Sequence, residues 1–182
     1  RRKFFGTLYN TYSFFSLYTN IDKFAYTEDD IALEDRPELD RWILSELHTL
    51  IQKVDDYYAD YEPTKAARAI SNFTQDYLSN WYVRLSRRVF WKGEMNADKQ
   101  AAYETLYTCL DAISRMMSPI SPFFSDWLYR NLNSPIIANN EAPKSVHLTN
   151  WPVVNQASIQ VELEMQMQRA QTICSLVLSL RK

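Results

Sequence analysis

The sequence predicts an all-α fold, an antiparallel bundle of long helices with one long irregular loop. Three observations point there. Only two glycines, Gly6 and Gly93, occur in 182 residues, whereas hairpins and βα turns use glycine wherever φ must be positive. Apolar side chains recur at three- and four-residue spacing through most of the chain, the signature of amphipathic helices. Hydrophobic residues make up 46% and aromatic residues 14%, enough for a single core; a domain of this length buries roughly 70% of its unfolded surface.

The first helix runs from about Arg1 to Phe24, with Phe4, Leu8, Phe15, Tyr18 and Ile21 on its apolar stripe. An acidic connector follows from Ala25 to Arg36, carrying Glu28, Asp29, Asp30, Glu34 and Asp35. It reads as a solvated loop that ends where Pro37 enters the first turn of the next helix. That second helix, of about 24 residues and roughly 36 Å, carries Leu39, Trp42, Ile43, Leu47, Leu50, Ile51, Val54, Tyr57, Tyr58 and Tyr61. Its tyrosines are expected to cover a helix contact while their hydroxyls reach water.

Glu62-Pro63-Thr64 starts a third helix with Ala66, Ile70, Phe73, Tyr77, Trp81 and Leu85 as the buried stripe. Gly93 is the expected left-handed cap. Asn96 or Asp98 then caps a fourth helix that buries Tyr103, Leu106, Tyr107, Leu110, Ile113 and Met117, until Pro119 and Pro122 interrupt it. A short fifth helix covers Ser121 to Leu132. The polar stretch from Asn133 to Asn155, with three prolines, reads as a surface loop packed by Trp151, its Val146-His147-Leu148 extended. Helix resumes at Ser158 through Leu163, Met167, Ala170, Ile173, Leu176 and Leu180. Neither end carries a cap signal, so both read as cut from a longer chain. No repeat of 20 to 50 residues occurs, which excludes a solenoid.

A net charge of −2 opposes indiscriminate binding to nucleic acid, so such binding requires a local basic patch. Cys109 and Cys174 stand in apolar helical patterns without a neighbouring ligand type and are expected as reduced core thiols. His48 and His147 fall in no nucleophile or metal motif, and the acidic connector lacks the glycine and ligand spacing of a calcium loop. No apolar run approaches the roughly 18 residues of a membrane span. A soluble, cytoplasmic protein without a membrane partner is the expectation.

Chemistry concentrates in the segment Ser79 to Lys92, which holds four basic residues, four aromatics and no acid. At about 100° per residue, Asn80, Arg84, Arg87 and Trp91 fall within roughly 60° of one another. Arg88 and Lys92 add charge beside them. Guanidinium groups pair bidentately with phosphates, and an exposed indole stacks on an unpaired base. The same composition also suits a helix C-terminus whose cations offset the macrodipole while its aromatics face the core, with Trp81 and Leu85 expected inside under either reading. The segment alone does not choose between the two.

Four ordered motifs do choose. Leu39-Asp40-Arg41-Trp42-Ile43-Leu44-Ser45, Ser79 to Arg84 with Arg87-Arg88, Ser118-Pro119-Ile120-Ser121-Pro122-Phe123, and Ser145-Val146-His147-Leu148 with Trp151-Pro152 together resemble the anticodon-binding domain of isoleucyl-tRNA synthetases. The set is most similar to the eukaryote-like branch, which some bacteria share. Valyl relatives share the start of the second helix but tend to carry an acid where Arg84 stands. Ser118 and Asp126 depart from the family's usual Ala and Glu.

The resemblance implies a helical bundle of the class I synthetase anticodon-binding type spanning residues 1–182 as one domain. It implies isoleucine tRNA as partner, with Asn80, Arg84, Arg87, Arg88, Trp91 and Lys92 as candidate contacts. It further implies that the catalytic and C-terminal domains of the parent chain lie outside this stretch. Neither the His-Ile-Gly-His nor the Lys-Met-Ser-Lys-Ser type signature occurs, so no catalytic residue and no cofactor are expected here, with ATP and magnesium assigned to the parent enzyme. A structural bundle that links domains, or the equivalent valyl domain, is the alternative.

Overall fold

A computed structural model describes residues 2–24, 26, 31–91 and 93–180. The helices are α1 (Arg2–Asp22), α2 (Glu38–Ala59), α3 (Pro63–Asn72), a π-helical segment (Phe73–Val83), α4 (Arg84–Trp91), α5 (Ala97–Met117), α6 (Pro122–Leu132), α7 (Ser134–Ala138) and α8 (Val161–Leu180). No strand occurs among the described residues, as the glycine scarcity predicts. The expected loop after α6 contains α7 and a single 3-10 turn, Val146–Leu148, and a second such turn, Gln156–Ser158, follows it before α8. Val146–Leu148 is therefore coiled and not extended: the Ser145 hydroxyl accepts from the His147 amide at 3.3 Å and closes the turn.

The bundle is organised around α5, in which 15 of 21 residues are buried. A helix buried around most of its circumference must be surrounded, and α1, α2, α4 and α6 all pack on it. Asn96 caps it, its side-chain oxygen accepting from the Lys99 amide at 2.9 Å. Hydroxyls of partner helices return to backbone at its far end, where Tyr58 donates to the Met116 carbonyl at 3.0 Å. Tyr58 thus points inward, against the expectation of a water-facing phenol, and its ring also meets Trp151 edge-on at 5.6 Å.

The expected third helix is a continuous rod made of α3, the π segment and α4. Ala66, Ile70, Thr74, Leu78, Tyr82, Ser86 and Phe90 are all buried along it, a strict four-residue period. An α-helix advances about 100° per residue, so four residues overshoot a turn by about 40° and the stripe would wind off the core. The i→i+5 bonding of a π-helix takes more than four residues per turn and undershoots. Alternating the two windings keeps the stripe straight. This displaces burial by one residue from the expected Tyr77, Trp81 and Leu85: the first two are partly buried against the core, and Leu85 is 50% exposed.

The two buried cations among the described residues, Arg36 and Lys99, are both paired. Arg36 donates to Glu104 at 2.8 Å, to Thr105 Oγ1 at 2.9 Å and to the Ala101 carbonyl at 3.2 Å, while the Ile31 amide donates to Glu104 at 3.0 Å. The last part of the connector is thereby pinned to α5, not solvated as expected. Glu28, Asp29 and Asp30 lie outside the described residues. Lys99 pairs with Asp22 at 2.6 Å, and Tyr103 donates to the same carboxylate, which holds the end of α1. Tyr82 donates to Asp40 at 2.6 Å; burial nonetheless pushes the Asp40 carboxyl up to about 6.

Helix ends differ from expectation for a related reason. Left-handed backbone falls at Lys23, Tyr61 and Asn140, and at neither glycine. Gly93 is therefore not the cap of α4, and Tyr61, placed beyond α2 by this turn, is 92% exposed. Ile21, at 63%, likewise leaves the expected stripe of α1.

The helix α8 docks on α2 by its first half. Glu164 accepts from Ser45 at 2.5 Å and Thr49 at 2.9 Å, with Leu163 and Met167 against the core. Beyond Gln171 no helix faces it among the described residues, so Ile173, Leu176 and Leu180 are exposed. Cys174 is exposed too, against its expected burial, whereas Cys109 is buried as expected. Beside the junction, the His48 ring accepts from the Asn155 amide at 3.2 Å. Burial first, and the neighbouring Glu164 charge second, push the Glu46 carboxyl up to about 7.

Two outcomes follow from these buried charges. Arg36→Ala strands the Glu104 carboxylate and should cost about 3–5 kcal/mol in chemical denaturation; breaking the exposed Lys65–Glu62 pair, at 3.3 Å, with Glu62→Ala should cost under about 1 kcal/mol. Glu46 has a raised folded pKa, so its contribution is full below about 4.5 and declines as pH rises towards about 7. Glu46→Gln, which keeps an acceptor for Trp42, should therefore stabilise the protein by about 1–2 kcal/mol at pH 8, with solvent screening allowed for. Melting curves at pH 4 should show that difference gone.

Candidate nucleic-acid interface

The rotation of α4 is set by two buried side chains, Ser86 and Phe90. Phe90 meets Tyr103 edge-on at 5.0 Å and Phe14 at 5.1 Å, locking it between α5 and α1. With that face inward, Arg84, Arg87 and Arg88 point to solvent, and the Trp91 indole is 59% exposed. Asn80, on the π segment, is exposed as well. Lys92 lies outside the described residues.

Five candidates therefore share the open side of the rod. None of the three arginines enters an ion pair among the described residues, so each guanidinium keeps its donors for a ligand. Arg88 also lies in the last turn of α4, where it offsets the macrodipole; that role and anion binding do not compete. The aromatics divide cleanly between structure and surface. Tyr82 and Phe90 are core, Trp81 is half-buried, and Trp91 alone of the four in this segment presents its ring outward.

The four-residue period has a second effect. Two positions away from each buried residue, about half a turn, stand Arg68, Asn72, Asp76, Asn80, Arg84 and Arg88, and all six are exposed. The π winding thus aligns a polar ridge as it aligns the core stripe. Reading at 100° per residue grouped Asn80 with the α4 residues but did not reach Arg68 or Asn72. The signal was present in the repeat from Ala66 to Phe90, where every fourth residue is small, apolar or aromatic.

An exposed, unpaired cationic ridge flanked by one outward indole can bind phosphate and stack a base. It offers no nucleophile–base pair. No group of three or more His, Cys, Asp or Glu able to hold a metal ion occurs among the described residues. No helix among them is long and apolar enough to cross a membrane.

Residues 40–182 match the family described as anticodon-binding domain of tRNA ligase. The whole chain is 57% identical to part of the isoleucine–tRNA ligase of Cytophaga hutchinsonii and 56% identical to part of that of Bacteroides thetaiotaomicron. A third, from Dehalococcoides mccartyi, is 47% identical over 99% of the chain. The chain spans only about 16% of the length of the first two relatives. Because the matched stretch takes in the rod, its ridge and every helix after it, the chain belongs to the family of anticodon-binding domains of tRNA ligases.

Proposed function

We propose that this chain is the module by which an isoleucine–tRNA ligase grips the anticodon arm of isoleucine tRNA, positioning the tRNA for ATP-dependent isoleucylation in a catalytic domain elsewhere in a longer cytoplasmic protein. The observation that carries the proposal is the set of solvent-facing arginines on α4, free of ion pairs among the described residues. In this reading Arg84, Arg87, Arg88 and Lys92 take backbone phosphates, and Asn80 and Trp91 meet loop bases. ATP and magnesium are assigned to the catalytic domain.

Isoleucine is preferred over valine on the names of the relatives and on the basic Arg84 at the end of Trp81-Tyr82-Val83. A second role as a bundle that joins domains is favoured by the exposed apolar end of α8, where Leu176, Leu178 and Leu180 are all at least 59% exposed. The two roles are compatible in one protein.

Salt titration separates the residue roles. In the full-length ligase, Arg84→Ala with Arg88→Ala should weaken isoleucine tRNA binding and lower the slope of log affinity against log salt by about 1.4–1.8. Trp91→Ala should leave the slope alone and weaken binding about 5- to 150-fold, the equivalent of one lost base stack. An arginine double variant with unchanged affinity and slope would remove the phosphate assignment.

A further inference from the structure

A second basic site lies on the same side of the rod. Between α2 and α3 runs a groove of about 380 Å³. Lys53 enters it from α2, and Lys65, Arg68 and Asn72 from α3. Neither Lys53 nor Arg68 forms an ion pair among the described residues, and Lys65 has only the half-exposed Glu62 at 3.3 Å. The groove's one acid is Glu46, whose carboxyl is pushed up to about 7 by burial first and by the Glu164 charge second. Three cations therefore outnumber the one acid of the groove, and Asn72 and Tyr77 add neutral polar groups at the wall.

Arg68 and Asn72 belong both to this groove and to the exposed ridge that ends in Arg84 and Arg88. Sixteen residues separate Arg68 from Arg84, at most about 24 Å along a helix. Asp76 interrupts the ridge between them, which divides it into two cationic ends with a repulsive gap. Such an arrangement suits a ligand that carries phosphates at both ends of that span. Paired RNA does so, and it is recognised through phosphates and sugar hydroxyls with little dependence on base identity.

We infer that the groove formed by Lys53, Lys65, Arg68 and Asn72 holds backbone phosphates of the paired stem, while the α4 end of the ridge holds the loop of the same RNA. The inference rests on the proposed tRNA-binding function. It assigns this second site to the sequence-independent part of binding: the groove cations fix where the stem lies, and the α4 residues meet the bases.

The test compares two RNA probes on the full-length protein: the anticodon stem-loop and a single-stranded oligonucleotide with the loop sequence alone. Lys53→Ala with Arg68→Ala should lower stem-loop affinity about tenfold at moderate salt and reduce the salt slope by about 2, yet leave the loop oligonucleotide unaffected. Lys53→Arg with Arg68→Lys should restore both. Arg84→Ala with Arg88→Ala should weaken both probes. An unchanged stem-loop slope in the groove variant, with the α4 variant still impaired, overturns the groove site alone. Failure of both variants to respond overturns the underlying function. A groove variant that lowers the melting temperature of the full-length protein without changing RNA affinity would give these cations a role in stability alone, and also overturns the inference.

Discussion

The structure depends on a mismatch between two periods. The rod from Pro63 to Trp91 buries every fourth residue from Ala66 to Phe90, and an α-helix of 3.6 residues per turn cannot present such a stripe to a straight groove over that length. Eleven residues of π winding absorb the difference. The rod then lies flush along α1, α2 and α5, and Tyr82 reaches Asp40 across the core. Phe90 closes between Phe14 and Tyr103. Everything the rod shows to solvent follows from what it is made to bury.

Electrostatics sort the molecule in a complementary way. Lys and Arg number 20 against 22 Asp and Glu, so no overall attraction to phosphate exists and placement decides binding. The deeply buried cations, Arg36 and Lys99, are matched to Glu104 and Asp22 and serve to fix chain segments to α5. The arginines of α4 are left without such partners among the described residues, on a surface where hydration is cheap and a polyanion can approach. Buried acids beside like charges or apolar walls, Asp40 and Glu46, hold protons more tightly.

Much of this was legible in the sequence. Glycine scarcity and helical spacing gave the all-α bundle, Asn96 announced the start of α5, and the basic, acid-free stretch after Ser79 marked the exposed face of α4. What escaped reading has physical causes. An assumed α period moved the stripe of the rod one residue away and put Leu85 inside. Left-handed turns at Lys23 and Tyr61 used residues that rarely adopt them, while Gly93 did not. Burial of Cys174 and the end of α8 was inferred from spacing, yet spacing reports only that one face is apolar, not that a partner stands opposite. Arg68 and Asn72 were missed because they join the site through winding rather than proximity in sequence.

The π winding builds one exposed ridge from Arg68 to Arg88, the proposed face for RNA. Its most direct measurement is directed hydroxyl-radical cleavage of isoleucine tRNA from an iron chelate tethered at position 76 of the full-length protein, through Asp76→Cys. Position 76 stands in the middle of the ridge and is exposed. Strand cleavage should concentrate in the anticodon arm, centred where stem meets loop. Cleavage confined to the acceptor end, or none above that from a chelate tethered at Tyr61 off the ridge, would contradict it.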